Sequence, residues 1–319
     1  MTEFEIISRY FSKPVTDDVL LAQGDDCALF DTPPGFTLAF SIDTLVEGRH
    51  FPLDYPARYV ATRALGAALS DLAAMGAKAS HFTLALTLPR FDEVWLDEFS
   101  SALYAMSSRF DAALVGGDTT SGPLALSIQA HGLVPQGMSL RRSGAARGDL
   151  LFVSGCLGDA AGGLKLLNNS GSYQSANGPL SDHEAYLRQR FNYPVPRLDV
   201  APMLRNKASA CIDISDGLLA DAEHMAESSG LTAVIEVDAV PVSDALREIW
   251  PLDFESLALS GGDDYELLCA IPPDFQAWAE SMGLVKIGEL VSVKASPIKL
   301  LKDGLDYQYA SPKGYLHFV

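Results

Sequence analysis

The sequence predicts two lobes, an N-terminal α+β domain on a mixed sheet followed by a C-terminal α/β domain. Three observations carry this expectation. The chain has 319 residues, about twice the span of an ordinary domain. Hydrophobic residues make up 48% against 20% charged, enough apolar surface for a core in each half. An aspartate beside glycine recurs after apolar, β-rich runs in both halves, with helical runs between them. The division is expected near residue 138, separating 1–138 from 139–319.

Residues 37–42 and 81–88 are rich in β-forming side chains and are expected as strands. Between them, 59–75 is rich in Ala and Leu and stops at Gly76, which marks a helix and its end. An amphipathic helix is expected at 95–110 and a short strand at 112–115, ending at Gly116-Gly117-Asp118-Thr119; a further strand follows at 124–134. In the second half, a strand at 150–154 runs into Gly155-Cys156-Leu157-Gly158-Asp159 and a helix at 160–167. The Gly/Ser/Asn-rich stretch 168–178 reads as a surface loop. A strand at 208–214 meets Ser215-Asp216-Gly217 and a helix reaching Ser228. A strand at 232–237 comes next, and Gly261-Gly262-Asp263-Asp264 precedes a strand at 267–271, a helix at 275–282 and a β-rich tail.

Composition excludes several classes. Lys plus Arg total 23 against 41 Asp plus Glu, a net charge of −18, which repels nucleic acid and anionic bilayer surfaces alike. A phosphorylated substrate would draw its compensating charge from bound cations. The four cysteines form no CxxC pair, so neither a zinc knuckle nor a redox dithiol is expected, and they read as thiols of a reducing compartment. Residues 1–11 carry Glu3 and Glu5 and lack the apolar run of a secretory leader; a cytoplasmic protein is expected. The longest stretch without charged residues, 119–140, contains Pro123, Pro135 and several glycines, unlike a membrane span.

The chemistry lies in the placement of acids. Asp26, Asp43, Asp118, Asp213, Asp216 and Asp263 stand beside small residues that let a ligand approach, nearly all after apolar strands, the arrangement of a hard-cation site. Asp71 falls on a helix among Ala67, Ala68, Ala74 and Met75, where an unpaired buried charge would cost several kcal/mol and a nearby cation would remove that penalty. Asp beside Gly is also a turn composition, but six such motifs in one chain point beyond turns. Asp25, Asp264 and Asp221 read instead as a turn acid, a cap and a solvated helix acid. Neither GxxxxGK[ST] nor a kinase HRD loop occurs. Gly155, Gly158, Gly162 and Gly163 could aim backbone N–H groups at an anion, with a plain strand-to-helix turn equally open. Of six scattered histidines, His50 alone stands near an acidic motif.

Taken in order, Gly24-Asp25-Asp26-Cys27-Ala28, Ser41 to Thr44, Leu69 to Ala77, Gly116 to Thr120, Arg142-Ser143-Gly144-Ala145, Asp213 to Gly217 and Tyr265-Glu266-Leu267 resemble the thiamine-monophosphate kinases over nearly the whole chain. The resemblance implies a PurM-like fold shared with aminoimidazole ribonucleotide synthetase, and a homodimer built on the N-terminal sheet. It also implies several Mg2+ ions, ATP as co-substrate, and phosphorylation of thiamine monophosphate to thiamine diphosphate. It assigns Mg2+ to Asp26, Ser41, the Ile42 backbone, Asp43, Asp71, Asp118, Asp213 and Asp216. Tyr104, Gly117, Asp118, Arg142 and Ser215 fall near ATP, and His50, Asp263 and Tyr315 near thiamine phosphate. Asp43, Asp71, Asp118 and Asp213 are the acids expected to matter most for transfer. The family's usual Gly-Gly-Glu-Asp is Gly-Gly-Asp-Asp here, one methylene shorter at Asp263. An aminoimidazole ribonucleotide synthetase-like enzyme and a non-catalytic acidic cation-binding protein are the alternatives.

Overall fold

The computed structural model describes residues 2–13, 15, 18–22, 26–169, 180–293, 295–310 and 312–315; Asp25 and all but the start of the expected 168–178 loop lie outside them. A short helix α1 (Glu3–Ile6) and a hairpin of β1 (Val19–Leu21) and β2 (Leu29–Phe30) lead into the first lobe. That lobe consists of β3 (Phe36–Val46), α2 (Ala57–Ala74), β4 (Lys78–Leu88), α3 (Glu93–Arg109), β5 (Ala113–Ser121) and β6 (Ala125–Pro135). Its sheet runs β3-β6-β4-β5, parallel only between β4 and β5. Along β6, Leu126, Ile128, Ala130 and Val134 are buried towards the helices, while alternate residues face the other side.

β5 does not end at Val115 as expected. It runs on through Gly116-Gly117-Asp118-Thr119 because Gly117 lets β4 pass: a Cβ there would lie 1.9 Å from the Leu84 carbonyl oxygen. The Ala-rich α2 is buried on nearly every side, with the N-terminal sheet on one flank and strands of the second lobe on another. Small side chains permit both approaches at once.

The second lobe comprises β7 (Leu150–Val153), α4 (Asp159–Asn169), α5 (Asp182–Asn192), α6 (Ala201–Leu204), β8 (Ala210–Ile214), α7 (Leu218–Ser229) and β9 (Leu231–Glu236). It continues with α8 (Asp244–Ile249), α9 (Phe254–Ser260), β10 (Glu266–Ile271), α10 (Gln276–Ser281), β11 (Val285–Ser292), β12 (Ile298–Lys302) and β13 (Leu305–Tyr307). Its seven-stranded sheet is ordered β13-β12-β9-β11-β7-β10-β8, with β12 and β9 its one parallel pair. β7, β8 and β10 are buried along their whole length, as strands covered on both faces must be. The core of the first lobe continues into the second through Ala160, Leu167, Phe191 and Tyr265, so the lobes share packed surface. Among the described residues, no helix is long and apolar enough to cross a membrane.

Candidate active site

α2 brings the acids of both lobes together. Asp43 on β3 lies opposite Ile128, which is buried beneath α2, so its side chain leaves the sheet on the helix side. There the α2 residue Asp71 accepts a hydrogen bond from Ser41 Oγ. One position earlier, Ser70 Oγ reaches the other lobe and donates to Asp213 Oδ2 at 2.8 Å, at the end of β8. The described hydrogen bonds of Asp71 and Asp213 thus come from serines, and none of the three acids is in an ion pair among the described residues. Burial, then the charge of Asp71, pushes the Asp43 carboxyl up to about 6. Burial and the same Asp71 charge push Asp213 up to about 7 against the opposing Ser70 bond, with Asp43 adding and Arg142 subtracting.

Uncompensated carboxylates that repel one another, with only oxygen donors at hand, fit a hard divalent cation such as Mg2+. Among the described residues, no three His, Cys, Asp or Glu side chains close into a complete chelating set. Water and phosphate oxygens would fill the remaining positions of such an ion.

These acids line a cleft of about 1290 Å3 between the lobes. Of the residues expected from sequence, Ile42, Asp43, His50, Asp71, Asp213, Ser215, Asp216, Asp263 and Tyr315 line it. Phe51, Leu53, Leu164 and Leu167 add an apolar wall. His50 Nδ1 accepts from the Val46 backbone at 3.0 Å, which orients the ring. Asp263 sits in the left-handed region (φ 71), tied to the end of β8 by its N–H to Ser215 O at 2.9 Å. Its Oδ2 accepts from Arg63 Nη2 at 3.0 Å and its Oδ1 from the Tyr265 hydroxyl at 2.9 Å.

The remaining expected residues stand apart within one chain. Asp118 shares a row with Ala85, Ser127 and Thr44 on the sheet face away from α2. Three strand spacings put it about 14 Å from Thr44. Gly117 is its neighbour on β5, and Tyr104 belongs to α3; burial pushes the Tyr104 phenol up to about 12. Asp26 and Arg142 are exposed and outside the cleft lining, although Arg142 acts on Asp213 through its charge.

Three readings need correction or refinement. Asp221, expected as a solvated acid, is 3% exposed, and its Oδ2 accepts from the Ser215, Asp216 and Gly217 N–H groups at 3.1, 3.2 and 3.2 Å. It therefore shapes the loop carrying Ser215 and Asp216. The anion cradle before α4 is filled internally: Asp264 accepts from the Gly158 N–H at 2.6 Å and the Ala160 N–H at 3.2 Å, a cap as expected. Arg63 was missed, yet Arg63, Ala67 and Asp71 recur every four residues along one helix face, a legible signal in an Ala-rich run.

Comparison with known proteins places this architecture. The AIR synthase related protein N-terminal domain matches residues 24–134 and the corresponding C-terminal domain residues 146–296, so the chain is a two-domain AIR synthase related protein with the expected PurM-like fold. It is 42% identical to the thiamine-monophosphate kinase of Salmonella typhimurium over 99% of this chain and 98% of that protein. The crystal structure of thiamine-monophosphate kinase from Stenotrophomonas maltophilia superposes with a TM-score of 0.82 at 40% identity, covering 94% of this chain and 95% of that one. The structure of AaThiL complexed with AMPPCP and TMP superposes with a TM-score of 0.80 at 29% identity, covering 99% and 95%. The chain belongs to the thiamine-monophosphate kinase family of phosphotransferases.

Proposed function

We propose that the chain transfers the γ-phosphoryl group of ATP directly to thiamine monophosphate, giving thiamine diphosphate and ADP in a Mg2+-dependent reaction of the cytoplasm. The observation that carries this reading is one cleft lined both by Asp43, Asp71 and Asp213 and by Asp263 with the apolar side chains of Phe51, Leu53, Leu164 and Leu167. The AaThiL relative that holds AMPPCP and TMP supports it.

Asp43, Asp71, Asp213, Asp216, Ser41, Asp26 and the Ile42 carbonyl would hold Mg2+. Bound there, the ions would offset the charge of two polyphosphates. The chain's own residues position. On the ATP side Ser215 lines the cleft, while Arg142, a fork of donors suited to phosphate, and Tyr104 would reach ATP from outside that lining. His50, Asp263 and Tyr315 orient thiamine monophosphate, whose aromatic rings match the apolar wall. No residue need remove a proton, because a phosphate monoester has its second pKa near ~6 and attacks as an anion.

A homodimer formed by the N-terminal unit, residues 1–138, completes the site in this reading. The open sheet face carries Phe40 and Ile42, 66% and 65% exposed, on β3 at one edge and Asp118 on β5 at the other. Two such faces packed about a two-fold axis running along the strands would set opposite edges together and bring Asp118 of the partner subunit towards the Asp43 edge.

Turnover by the purified protein tests the reading. With ATP and Mg2+, thiamine monophosphate should yield thiamine diphosphate and ADP in equal amounts, and chelating the metal should stop it. ADP formed with an aminoimidazole ribonucleotide precursor but not with thiamine monophosphate would overturn the reading.

A further inference from the structure

We propose that Arg63 is a positioning residue, one that fixes Asp263 and the His50 loop in the lining of the cleft where thiamine monophosphate binds; this rests on the reading just given. Its side chain is 2% exposed, and among the described residues its buried charge has one ionic partner, Asp263. The guanidinium joins three segments remote in sequence. Nη1 donates to Phe191 O at 2.8 Å; Nη2 donates to His50 O at 3.0 Å and to Asp263 Oδ2 at 3.0 Å. Its Cζ lies 3.7 Å from the centroid of the Phe191 ring, while Nε has no hydrogen-bond partner among the described residues. Two of its donor hydrogen bonds go to the two segments that line the cleft, those of His50 and Asp263.

Asp263 needs such a hold, because a left-handed φ is costly for a non-glycine residue and persists where its surroundings over-determine it. Tyr265, itself at φ 52, supplies the second clamp through its hydroxyl. A carboxylate offers about four lone-pair sites. Two are taken by the clamp, and the others remain for a donor on the substrate. Lysine cannot reproduce the hold, since one ammonium lacks the planar fork that reaches all three acceptors and stacks on the ring.

Steady-state kinetics on R63Q, R63K, Y265F, D263N and R63Q/D263N test this, with hydrogen exchange as a readout that needs no substrate. R63Q should raise the KM for thiamine monophosphate on the order of tenfold and leave that for ATP within about twofold, as loss of a charged hydrogen bond to Asp263 implies. R63K should recover part of that loss. In the D263N background the effect of R63Q should shrink to about twofold or less, the mark of action through Asp263. Equal rises for both substrates, or full additivity with D263N, would overturn the proposal. Should R63Q fail to fold, Y265F carries the test: a rise of about threefold in the same KM supports the clamp, and an unchanged KM contradicts it. In R63K, the Gly48 and Asp263 amides should exchange faster while those of α7 do not. Unchanged exchange there would sink the role of Arg63 whatever the substrate, whereas a wild-type protein that does not phosphorylate thiamine monophosphate would sink only the functional reading.

Discussion

Asp43 and Asp213 are acids held where burial and neighbouring carboxylates disfavour their charge, an environment that suits a cation. Asp43→Asn should lower turnover by at least about a hundredfold while the fold persists, because it weakens cation binding and relieves repulsion among the acids that remain. Circular dichroism and turnover at saturating Mg2+ check both halves of that statement. The pH dependence has a definite sign. Carboxyls pushed up to about 6 and about 7 hold protons in the folded state that they release in the unfolded one, so the metal-free protein should lose stability as pH rises from about 4 to about 7. The fall in melting temperature over that window should flatten in Asp43→Asn and on adding Mg2+; a rise would contradict the assignment. Asp263→Ala should raise the KM for thiamine monophosphate without much change for ATP, and Asp263→Glu should keep or lower it. Asp43, Asp71 and Asp213 were legible in the sequence because an acid beside small residues, or on an apolar helix face, has few structural reasons to be there. Asp221 was not, because three backbone N–H groups meet it only once the Ser215–Gly217 loop has formed; Arg63 carried a helix-face signal, but its partner Asp263, 200 positions away, is set by folding.

At the scale of elements, the expected strands around α2 were found because apolar runs of strand length leave few alternatives. α5 was missed because few apolar residues, chiefly Leu187 and Phe191 four apart, mark its buried face. Its start was nevertheless written in Ser181 and Glu184, which form a reciprocal capping box. α4 and α5 pack closely where Gly163 meets the Leu187 carbonyl, and a Cβ on Gly163 would lie 2.2 Å from that oxygen. Gly163→Ala should therefore cost about 1–3 kcal/mol, read as a lower denaturant midpoint with unchanged slope. Because α4 supplies Leu164 and Leu167 to the apolar wall, the same variant should weaken thiamine monophosphate more than ATP.

One buried helix joins the four-stranded and seven-stranded sheets of the two lobes, and the acids of both lobes meet at its face. A single chain leaves the β3 face exposed and Asp118 remote from that meeting, so sedimentation should report twice the 34.2 kDa chain mass at micromolar concentration. Phe40→Asp combined with Ile42→Asp should yield monomers that have lost turnover; active monomers would refute a shared site. Direct transfer itself is best tested by a rapid-quench single turnover with ATP labelled in the γ-phosphoryl group, thiamine monophosphate and Mg2+. The account predicts that label passes from ATP to the terminal phosphate of thiamine diphosphate at the rate ATP disappears, with none on the protein. Label trapped on the protein, or released as inorganic phosphate without labelled thiamine diphosphate, would contradict it.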